Sequence, residues 1–354
     1  MHAQRTDDDS VLVGGRRGLG HLTLNRPRAI NALDLDMIRA LHVTLDRWQR
    51  DTDVDVVLLD GAGERGFCAG GDIRALHAMV TAGRVDEVHA FFREEYALDH
   101  AIATSAKPVI AIADGVCMGG GIGLAGHAAI RIVTERSRLA MPETRIGFTP
   151  DVGGSWLLAR APGRIGEYLA LTGGEMDAAD ALYAGFADHM VPTAHLEALY
   201  EALENRADPS SPTELVLLFD ESPEPSRFAR MRGWIDDAFA ADDVAGIIER
   251  LRARSEPEAR ETAELLADSA PTALAVTLEA VRHARALPSL RAALAQEYGL
   301  VLWFALTQPD LVEGIRAQVV DKDRAPRWSP AVLSDLPPER IAEAFAFEPE
   351  PALW

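Results

Sequence analysis

The chain has 354 residues, 48% of them hydrophobic, and a formal net charge of −20 at pH 7. This length and composition predict one large or two smaller globular domains with a full core. The negative charge argues against non-specific binding to nucleic acid or to anionic membranes, because such binding needs a basic surface. Two cysteines in a chain of this size do not form a disulfide scaffold and favour a reducing compartment.

The N-terminal residues and the lengths of the apolar runs indicate the cellular compartment. The first residues, Met1–Asp9, contain no apolar core of a signal peptide. An apolar run of about 18 residues, which a membrane-spanning helix needs, is not found. We therefore expect a cytoplasmic protein with no membrane and no nucleic-acid partner.

Short strands alternate with helices through the first 206 residues. The predicted strands are 20–25, 54–60, 107–114, 130–134, 138–141 and 186–192. The predicted helices are one beginning near Asp34 and running past Trp48, one beginning at Asp72, and those at 84–106, 120–128, 152–171, 178–184 and 193–206. This alternation predicts an α/β core over residues 10–206.

The composition changes after residue 206. Proline, serine and acidic residues cluster at 208–212 and 221–226, which predicts a linker over residues 207–232. The rest of the chain, 233–354, carries only helical periodicity and predicts an all-helical C-terminal region. One of its apolar stripes consists of Leu290, Leu294, Tyr298, Val301 and Ala305.

The helix predicted over 84–106 carries an acid on its apolar face. At about 100° per residue, Glu95 falls in the middle of the apolar stripe, whereas Glu94 points away from it. An inward-facing acid costs free energy unless it is paired or lines a polar cavity. Glu95 is therefore either a helix–helix contact or an acid at the edge of a pocket.

Two glycine-rich loops follow buried apolar strands. Gly119, Gly120 and Gly121 connect a strand to a helix, and Ala69, Gly70, Gly71 and Asp72 offer a second bare backbone followed by an acid. Free N–H groups at a helix start bind anions or a developing oxyanion, and glycine lets a ligand approach the backbone closely. The alternative is that both loops are tight turns packed under neighbouring elements.

Two acids stand in an otherwise apolar segment shortly after the loop at 119–121. Glu143 follows Pro142, and Asp151 follows Pro150. Acids in such surroundings can act as acid, base or nucleophile. The alternative is that both cap helices, and Asp151 stands where an N-cap would be favourable.

Three other sites are disfavoured. The residues 121–126 match G-x-G-x-x-G, but they do not directly follow a first strand as in a dinucleotide-binding fold. The histidines show no ligand spacing, so no metal is predicted. The run Gly153-Gly-Ser-Trp is not the G-x-S-x-G turn of a serine hydrolase.

Taken together, several segments resemble the enoyl-CoA hydratase/isomerase (crotonase) superfamily. They are Leu-Asn-Arg-Pro-Arg-Ala-Ile-Asn-Ala-Leu at 24–33, Phe-Cys-Ala-Gly-Gly-Asp-Ile at 67–73, Lys-Pro-Val-Ile-Ala at 107–111, Gly-Val-Cys-Met-Gly-Gly-Gly at 115–121 and Ala-Met-Pro-Glu-Thr at 140–144. The resemblance implies a spiral of repeated β-β-α turns that acts on coenzyme A thioesters, with no cofactor beyond the coenzyme A of the substrate. It implies that the N–H groups of Ala69 and Gly120 form an oxyanion hole for the thioester oxygen.

Further segments are similar to the 3-hydroxyisobutyryl-CoA hydrolase branch of that superfamily. They are Phe-Arg-Glu-Glu-Tyr at 92–96, Thr-Pro-Asp-Val-Gly-Gly at 149–154 and the C-terminal stretch 313–328. This resemblance implies that Glu143 and Asp151 are catalytic and that Glu95 contacts the substrate. Gly70, Gly71, Asp72 and Gly119 are further expected substrate contacts.

One departure from the hydratases concerns Gly123. Hydratases of the superfamily carry a second catalytic acid at that position. Glycine has no carboxylate, so it cannot hold a water together with another acid. The favoured function is therefore hydrolysis of a short 3-hydroxyacyl-CoA thioester, first of all 3-hydroxyisobutyryl-CoA, as in valine breakdown. The alternatives are an enoyl-CoA hydratase or isomerase and a non-catalytic acyl-CoA-binding protein.

The sequence leaves the oligomeric state open. The superfamily often forms homo-oligomers, namely trimers or pairs of trimers. The alternative is that the helical C-terminal region covers the pocket of its own chain.

Overall fold

The computed structural model describes residues 9–205 and 211–354. The prediction that Met1–Asp9 contains no signal-peptide core falls almost entirely outside these residues, as does the part of the predicted linker at 207–210. No helix of the described ranges is long and apolar enough to cross a membrane.

Nine strands in the described residues form two sheets. They are β1 (Val11–Arg16), β2 (Gly18–Leu24), β3 (Val54–Gly61), β4 (Gly66–Cys68), β5 (Val109–Ala113), β6 (Val116–Met118), β7 (Ile130–Val133), β8 (Arg138–Ala140) and β9 (His189–Met190). The larger sheet has the order β1-β2-β3-β5-β7-β9, and the smaller one has the order β4-β6-β8. Only β1 and β2 pair antiparallel in the larger sheet, and its other neighbours are parallel.

The strands of the two sheets alternate along the chain. A strand of the larger sheet is followed by a short strand of the smaller one and then by helix, in the pairs β3 and β4, β5 and β6, and β7 and β8. The central strands β3, β5 and β7 of the larger sheet are largely buried, with Leu58, Ile110 and Ile132 in one apolar cluster. Parallel strands covered on both faces read as continuous apolar runs, which is why the sequence predicted them correctly.

Sixteen α-helices are found in the described part of the chain. They are α1 (Leu35–Arg50), α2 (Ile73–Thr81), α3 (Val85–Ala103), α4 (Gly120–Gly126), α5 (Gly154–Leu158), α6 (Ile165–Thr172), α7 (Ala178–Ala184), α8 (Leu196–Glu204), α9 (Pro212–Leu217), α10 (Arg227–Ala238), α11 (Val244–Arg252), α12 (Pro257–Ala267), α13 (Pro271–Ala284), α14 (Leu290–Thr307), α15 (Asp310–Ile315) and α16 (Arg340–Ala346). The predicted start of α1 is confirmed, because the Asp34 side chain accepts a hydrogen bond from the Met37 N–H at 2.9 Å.

Several predicted elements differ from the structure. The strands β1, β4 and β6 were not predicted, and the strand expected over 186–192 shrinks to the two residues of β9. The single helix expected over 152–171 is two helices, α5 and α6. Helices and no strand occupy the described residues from 211 onward, as expected.

The range expected to be a linker also contains helix. It includes α9 and the first residues of α10. Pro212 stands at the first turn of α9, where a missing N–H costs nothing. The residues rich in proline and serine, which predicted a loop, therefore also include the starts of helices.

Two compact units make up the chain, and neither is continuous in sequence. The first unit contains residues 1–71, 94–139 and 176–226, and the second contains 72–93, 140–175 and 227–354. This division differs from the expected boundary at residue 206. Residues 140–175 belong with the helical C-terminal residues because they share one buried interior, for example where Thr277 donates to Thr149 at 3.0 Å between side-chain hydroxyls.

Candidate active site

The predicted site residues are distributed over both units. The first unit holds Ala69, Gly70, Gly71, Glu95, Gly119 and Gly120, and the second holds Asp72, Glu143 and Asp151. Each group is described by itself.

In the first unit, Gly119 makes the turn between β6 and α4. Its φ of 48° and ψ of −119° form a backbone conformation that glycine adopts at little cost. Its carbonyl accepts hydrogen bonds from the N–H groups of Ile122 at 2.7 Å and Gly123 at 3.3 Å. No side chain caps the helix, and the Gly120 N–H has no partner among the described residues. A free N–H at a helix start favours a negatively charged oxygen.

The loop after β4 lies directly against this turn. A Cβ atom added to Gly70 would lie 2.9 Å from the Met118 carbonyl oxygen and 3.3 Å from the Gly120 nitrogen. A Cβ atom added to Gly120 would lie 3.3 Å from the Gly71 nitrogen. The backbones approach so closely that only glycine fits, which brings the N–H groups of Gly71 and Gly120 together.

The structure corrects the oxyanion donor expected at Ala69. The Ala69 N–H donates to the Ile30 carbonyl at 2.8 Å, so it is already used within the fold. The Gly70 N–H faces the Cys68 sulfur at 3.4 Å. The Gly71 N–H has no partner in the described ranges, so Gly71 and Gly120, and not Ala69, have N–H groups available to a ligand oxygen.

Glu95 lies next to the same turn. It is 2% exposed, and its Oε1 would be 2.4 Å from a Cβ atom on Gly120. Its neighbour Glu94 points outward and receives a hydrogen bond from the Arg39 Nε at 2.6 Å. The predicted orientations of both acids are confirmed, and the position beside Gly120 favours the interpretation of Glu95 as an acid at the edge of a pocket.

In the second unit, Asp72 has a structural contact. Its Oδ1 accepts a hydrogen bond from the Ala75 N–H at 3.3 Å, and Asp72 is the N-cap of α2. A capping aspartate stabilises its helix by satisfying an otherwise unpaired N–H. Asp72 therefore has a helix-capping role, and the expected substrate contact stays a prediction.

Glu143 begins a 3₁₀ turn that ends at Gly147, and it is 7% exposed. The Thr144 hydroxyl donates to the Ala170 carbonyl at 3.2 Å, which ties the turn to the end of α6. A Cβ atom on Gly147 would lie 2.7 Å from the Asp310 carbonyl oxygen, so α15 packs directly on the other end. The backbone that carries Glu143 is thus held at both ends.

Asp151 precedes a tight turn in which two residues have positive φ. The angle is 53° at Val152 and 77° at Gly153, and the Asp151 carbonyl accepts a hydrogen bond from the Gly154 N–H at 2.6 Å. Asp151 is 7% exposed. The predicted alternative, in which Asp151 caps the next helix, is not observed, because the N-cap of α5 is Gly153.

A third buried acid, Glu297 on α14, was missed from the sequence. It is completely buried, and it accepts hydrogen bonds from the N–H groups of Gly153 at 2.6 Å and Ser155 at 2.8 Å. Burial raises the pKa of Glu297 to about 8, and the nearby Asp151 carboxylate adds to the rise. Glu297 interrupts the apolar stripe of its helix as Glu95 does, and that pattern could have identified it.

The comparison with known proteins now defines the class. The family model described as enoyl-CoA hydratase/isomerase matches residues 19–345, so the chain belongs to this family. The rat protein named 3-hydroxyisobutyryl-CoA hydrolase, mitochondrial, is 38% identical over 350 residues, which are 97% of this chain and 90% of the rat protein. The human protein of the same name is 36% identical over 345 residues, covering 95% and 88% of the two chains.

Two solved structures match almost the whole chain. The carnitinyl-CoA dehydratase from Mycobacterium thermoresistibile has a TM-score of 0.93 at 43% identity, covering 98% of this chain and 99% of that one. The enoyl-CoA hydratase from Rhodobacter sphaeroides 2.4.1 has a TM-score of 0.91 at 41% identity, covering 98% and 100%. These matches confirm the predicted α/β crotonase fold with its helical C-terminal region.

Proposed function

We propose that this protein hydrolyses a short 3-hydroxyacyl-CoA thioester, with 3-hydroxyisobutyryl-CoA as the first candidate and 3-hydroxyisobutyrate and CoA as products. The names of the rat and human relatives support this reaction. The single observation that carries it against hydration is the residue at position 123, inside α4, which is glycine. A glycine offers no carboxylate to share a water with Glu143.

In this proposal the thioester oxygen is bound by the N–H groups of Gly71 and Gly120. These donors stabilise the negative charge that develops on the oxygen when the carbonyl carbon is attacked. One such donor is typically worth ~2.7–4 kcal/mol in the transition state. Their fixed position at a helix start means that no reorganisation is needed during the reaction.

Glu143 is the residue that acts on the thioester carbon. Either its carboxylate attacks, expels the CoA thiolate and forms a mixed anhydride that water then cleaves, or it takes a proton from an attacking water. A thiolate leaves readily, so a second strong acid is not required. Asp151 and Glu95 bind the 3-hydroxyl group or position the water.

The proposed reaction uses no cofactor, since coenzyme A is part of the substrate. The described residues contain no group of three or more His, Cys, Asp and Glu side chains that could hold a metal ion. Activity that survives dialysis against a chelator is the expected outcome, and loss of activity that added metal restores would contradict this part of the proposal.

A thiol-release assay over short acyl-CoAs with and without a 3-hydroxyl group tests the proposal. We expect turnover of 3-hydroxyisobutyryl-CoA and its loss in Glu143→Gln, which keeps the volume and removes the charge. Glu175→Gln, the same change at an exposed acid of the same unit, is the matched control. Full turnover by Glu143→Gln would contradict the assigned role.

Labelled water separates the two routes open to Glu143. A single turnover in water enriched in heavy oxygen places label in the Glu143 carboxylate if an anhydride forms and water then attacks its glutamyl carbonyl carbon. Direct attack by water leaves the label in the product alone. Mass spectrometry of the peptide that contains Glu143 reads the difference.

The enoyl-CoA hydratase reaction is the second candidate, because the Rhodobacter sphaeroides structure carries that title. It predicts that the absorbance of an enoyl-CoA disappears without release of free thiol. A non-catalytic acyl-CoA-binding protein would instead bind acyl-CoAs and turn over none of them. The same panel of substrates therefore distinguishes all three functions.

Compartment, pathway and assembly stay predictions. The names of the rat and human relatives include the word mitochondrial, so they give the expected cytoplasmic location no support. Cell fractionation tests the location, growth on valine after deletion of the gene tests the pathway, and sedimentation tests the homo-oligomer.

A further inference from the structure

The turn after Asp151 uses three successive N–H groups in an unusual way. The N–H groups of Gly153 and Ser155 donate to the two oxygens of Glu297, at 2.6 and 2.8 Å, and the N–H of Gly154 between them donates to the Asp151 carbonyl at 2.6 Å. One buried carboxylate from a distant helix thus fixes both ends of the turn. The short helix α5 has no side-chain cap of its own.

The turn needs such an external support. Val152 has a φ of 53°, a conformation that a β-branched residue adopts only when surrounding structure enforces it. Gly153 follows with a φ of 77°. A backbone held in this conformation stores strain, and strain of this kind is typical of functional sites.

Stability alone does not account for the choice of residue. A serine or asparagine at the N-cap position would satisfy the Ser155 N–H locally. The protein instead buries a second carboxylate near Asp151, although each acid disfavours the charge of the other. Two buried acids kept together against this cost are more typical of a reaction site than of a stabilising contact.

We propose that Glu297 is a positioning residue for Asp151. Its carboxylate holds the segment Asp151–Ser155 in the one conformation that presents the Asp151 side chain to the substrate. This inference rests on the proposed hydrolase function. Glu297 acts through the backbone of the turn and does not touch the substrate itself.

Glu297→Gln tests the proposal because it keeps the volume and leaves one of the two N–H groups facing an amide that cannot accept from it. We expect the kcat for thiol release to fall about tenfold to a hundredfold, the range found when a hydrogen bond that orients a metal ligand is lost. The matched control is Glu167→Gln, another fully buried acid of the second unit, whose oxygens bind Arg164 and Arg285. This control should lower the melting temperature and leave kcat unchanged.

A double-mutant cycle separates positioning from general destabilisation. In an Asp151→Asn background, Glu297→Gln should cause little further loss of kcat, because its effect passes through Asp151. An equal loss in both backgrounds would overturn the proposal, as would a kcat for Glu297→Gln equal to that of the wild type. Glu297→Asp, which keeps the carboxylate, should restore part of the activity and serves as the second variant if Glu297→Gln does not fold.

Failure of the proposed function is distinguishable from failure of this inference. If the wild type releases no thiol from any acyl-CoA, the hydrolase proposal is wrong. Amide hydrogen exchange of the peptide containing 151–157 then measures directly how well the N–H groups of the turn are protected. Faster exchange in Glu297→Gln than in Glu167→Gln supports the proposal that Glu297 fixes the turn. Equal exchange in the two variants overturns that proposal.

Discussion

Replacing Gly120 with alanine perturbs the proposed oxyanion hole at a single atom. The added methyl would lie 2.4 Å from the Glu95 Oε1, 3.2 Å from a Leu33 methyl and 3.3 Å from the Gly71 nitrogen. The first distance is shorter than real Cβ contacts allow, and Glu95 is buried, so its carboxylate or the start of α4 must shift. Overpacking of this kind costs about 1–3 kcal/mol of stability.

The expected loss of activity is larger than the loss of stability explains. Alanine keeps the N–H of residue 120, but a shift of the start of α4 misaligns it. Complete loss of one oxyanion donor, which reduces kcat by about 10²–10³-fold or ~2.7–4 kcal/mol, is the upper limit of this effect. The assay is thiol release from 3-hydroxyisobutyryl-CoA, with urea denaturation of the same preparation to measure the free energy of unfolding. The control is Gly233→Ala, since a Cβ atom there meets nothing within 4 Å. In a helix this change stabilises by about 0.5–1 kcal/mol and should leave kcat unchanged.

A second substitution distinguishes the clash from the loss of the hole. Glu95→Asp in the Gly120→Ala background withdraws the carboxylate and should recover stability. It should not recover kcat, because the methyl group still stands beside the Gly71 nitrogen. A folded Gly120→Ala variant with wild-type kcat would refute the assignment of this turn as the oxyanion hole.

The remaining predictions concern other groups. Glu95→Ala should reduce the preference for 3-hydroxyisobutyryl-CoA over isobutyryl-CoA, by about 1.5–3 kcal/mol if the carboxylate binds the hydroxyl, measured as a ratio of kcat/KM values. Burial raises the pKa of Asp310 from its ordinary 3.8 to about 6, so the folded state favours the protonated form, and this contribution to stability is present below pH 4 and lost as the pH rises through 6. Asp310→Asn should therefore gain stability over the wild type by about 1–3 kcal/mol more at pH 7 than at pH 4, and equal differences in urea denaturation would contradict this. Burial also raises the pKa of Cys68 to about 12 and that of Cys117 well above its ordinary range, so a disulfide reagent should titrate no thiol in the native protein and both after unfolding.

Local periodicity predicted the features that depend on it. The 3.6-residue repeat fixed Glu95 on the buried face and Glu94 on the outer face of α3, and both orientations are observed. The cap at Asp34 followed from a side chain that reaches an N–H three residues ahead. These contacts lie within a helix, so the sequence alone specifies them.

Backbone directions inside a glycine-rich loop were not predictable in the same way. The family resemblance implied Ala69 as a donor, but the positive φ at Gly70, 96°, turns the chain and leaves the Gly71 N–H free instead. Glycine populates several regions of φ/ψ space, so its conformation is decided by the backbone packed against it. Short strands such as β4 and β6 were missed for a related reason, since three residues carry too little pattern.

The helical C-terminal region contacts the segment that carries the acids of the second unit. Thr277 on α13 binds Thr149, Glu297 on α14 holds the turn after Asp151, and α15 packs on the turn that carries Glu143. Each of these contacts joins residues more than a hundred positions apart, so no local pattern could reveal them. In the proposed hydrolysis by Glu143 without a partner acid at position 123, the position of each remaining carboxyl group matters more. The C-terminal helices therefore support the proposed catalytic segment. Variants on their buried faces should lower kcat while the fold of the first unit stays intact.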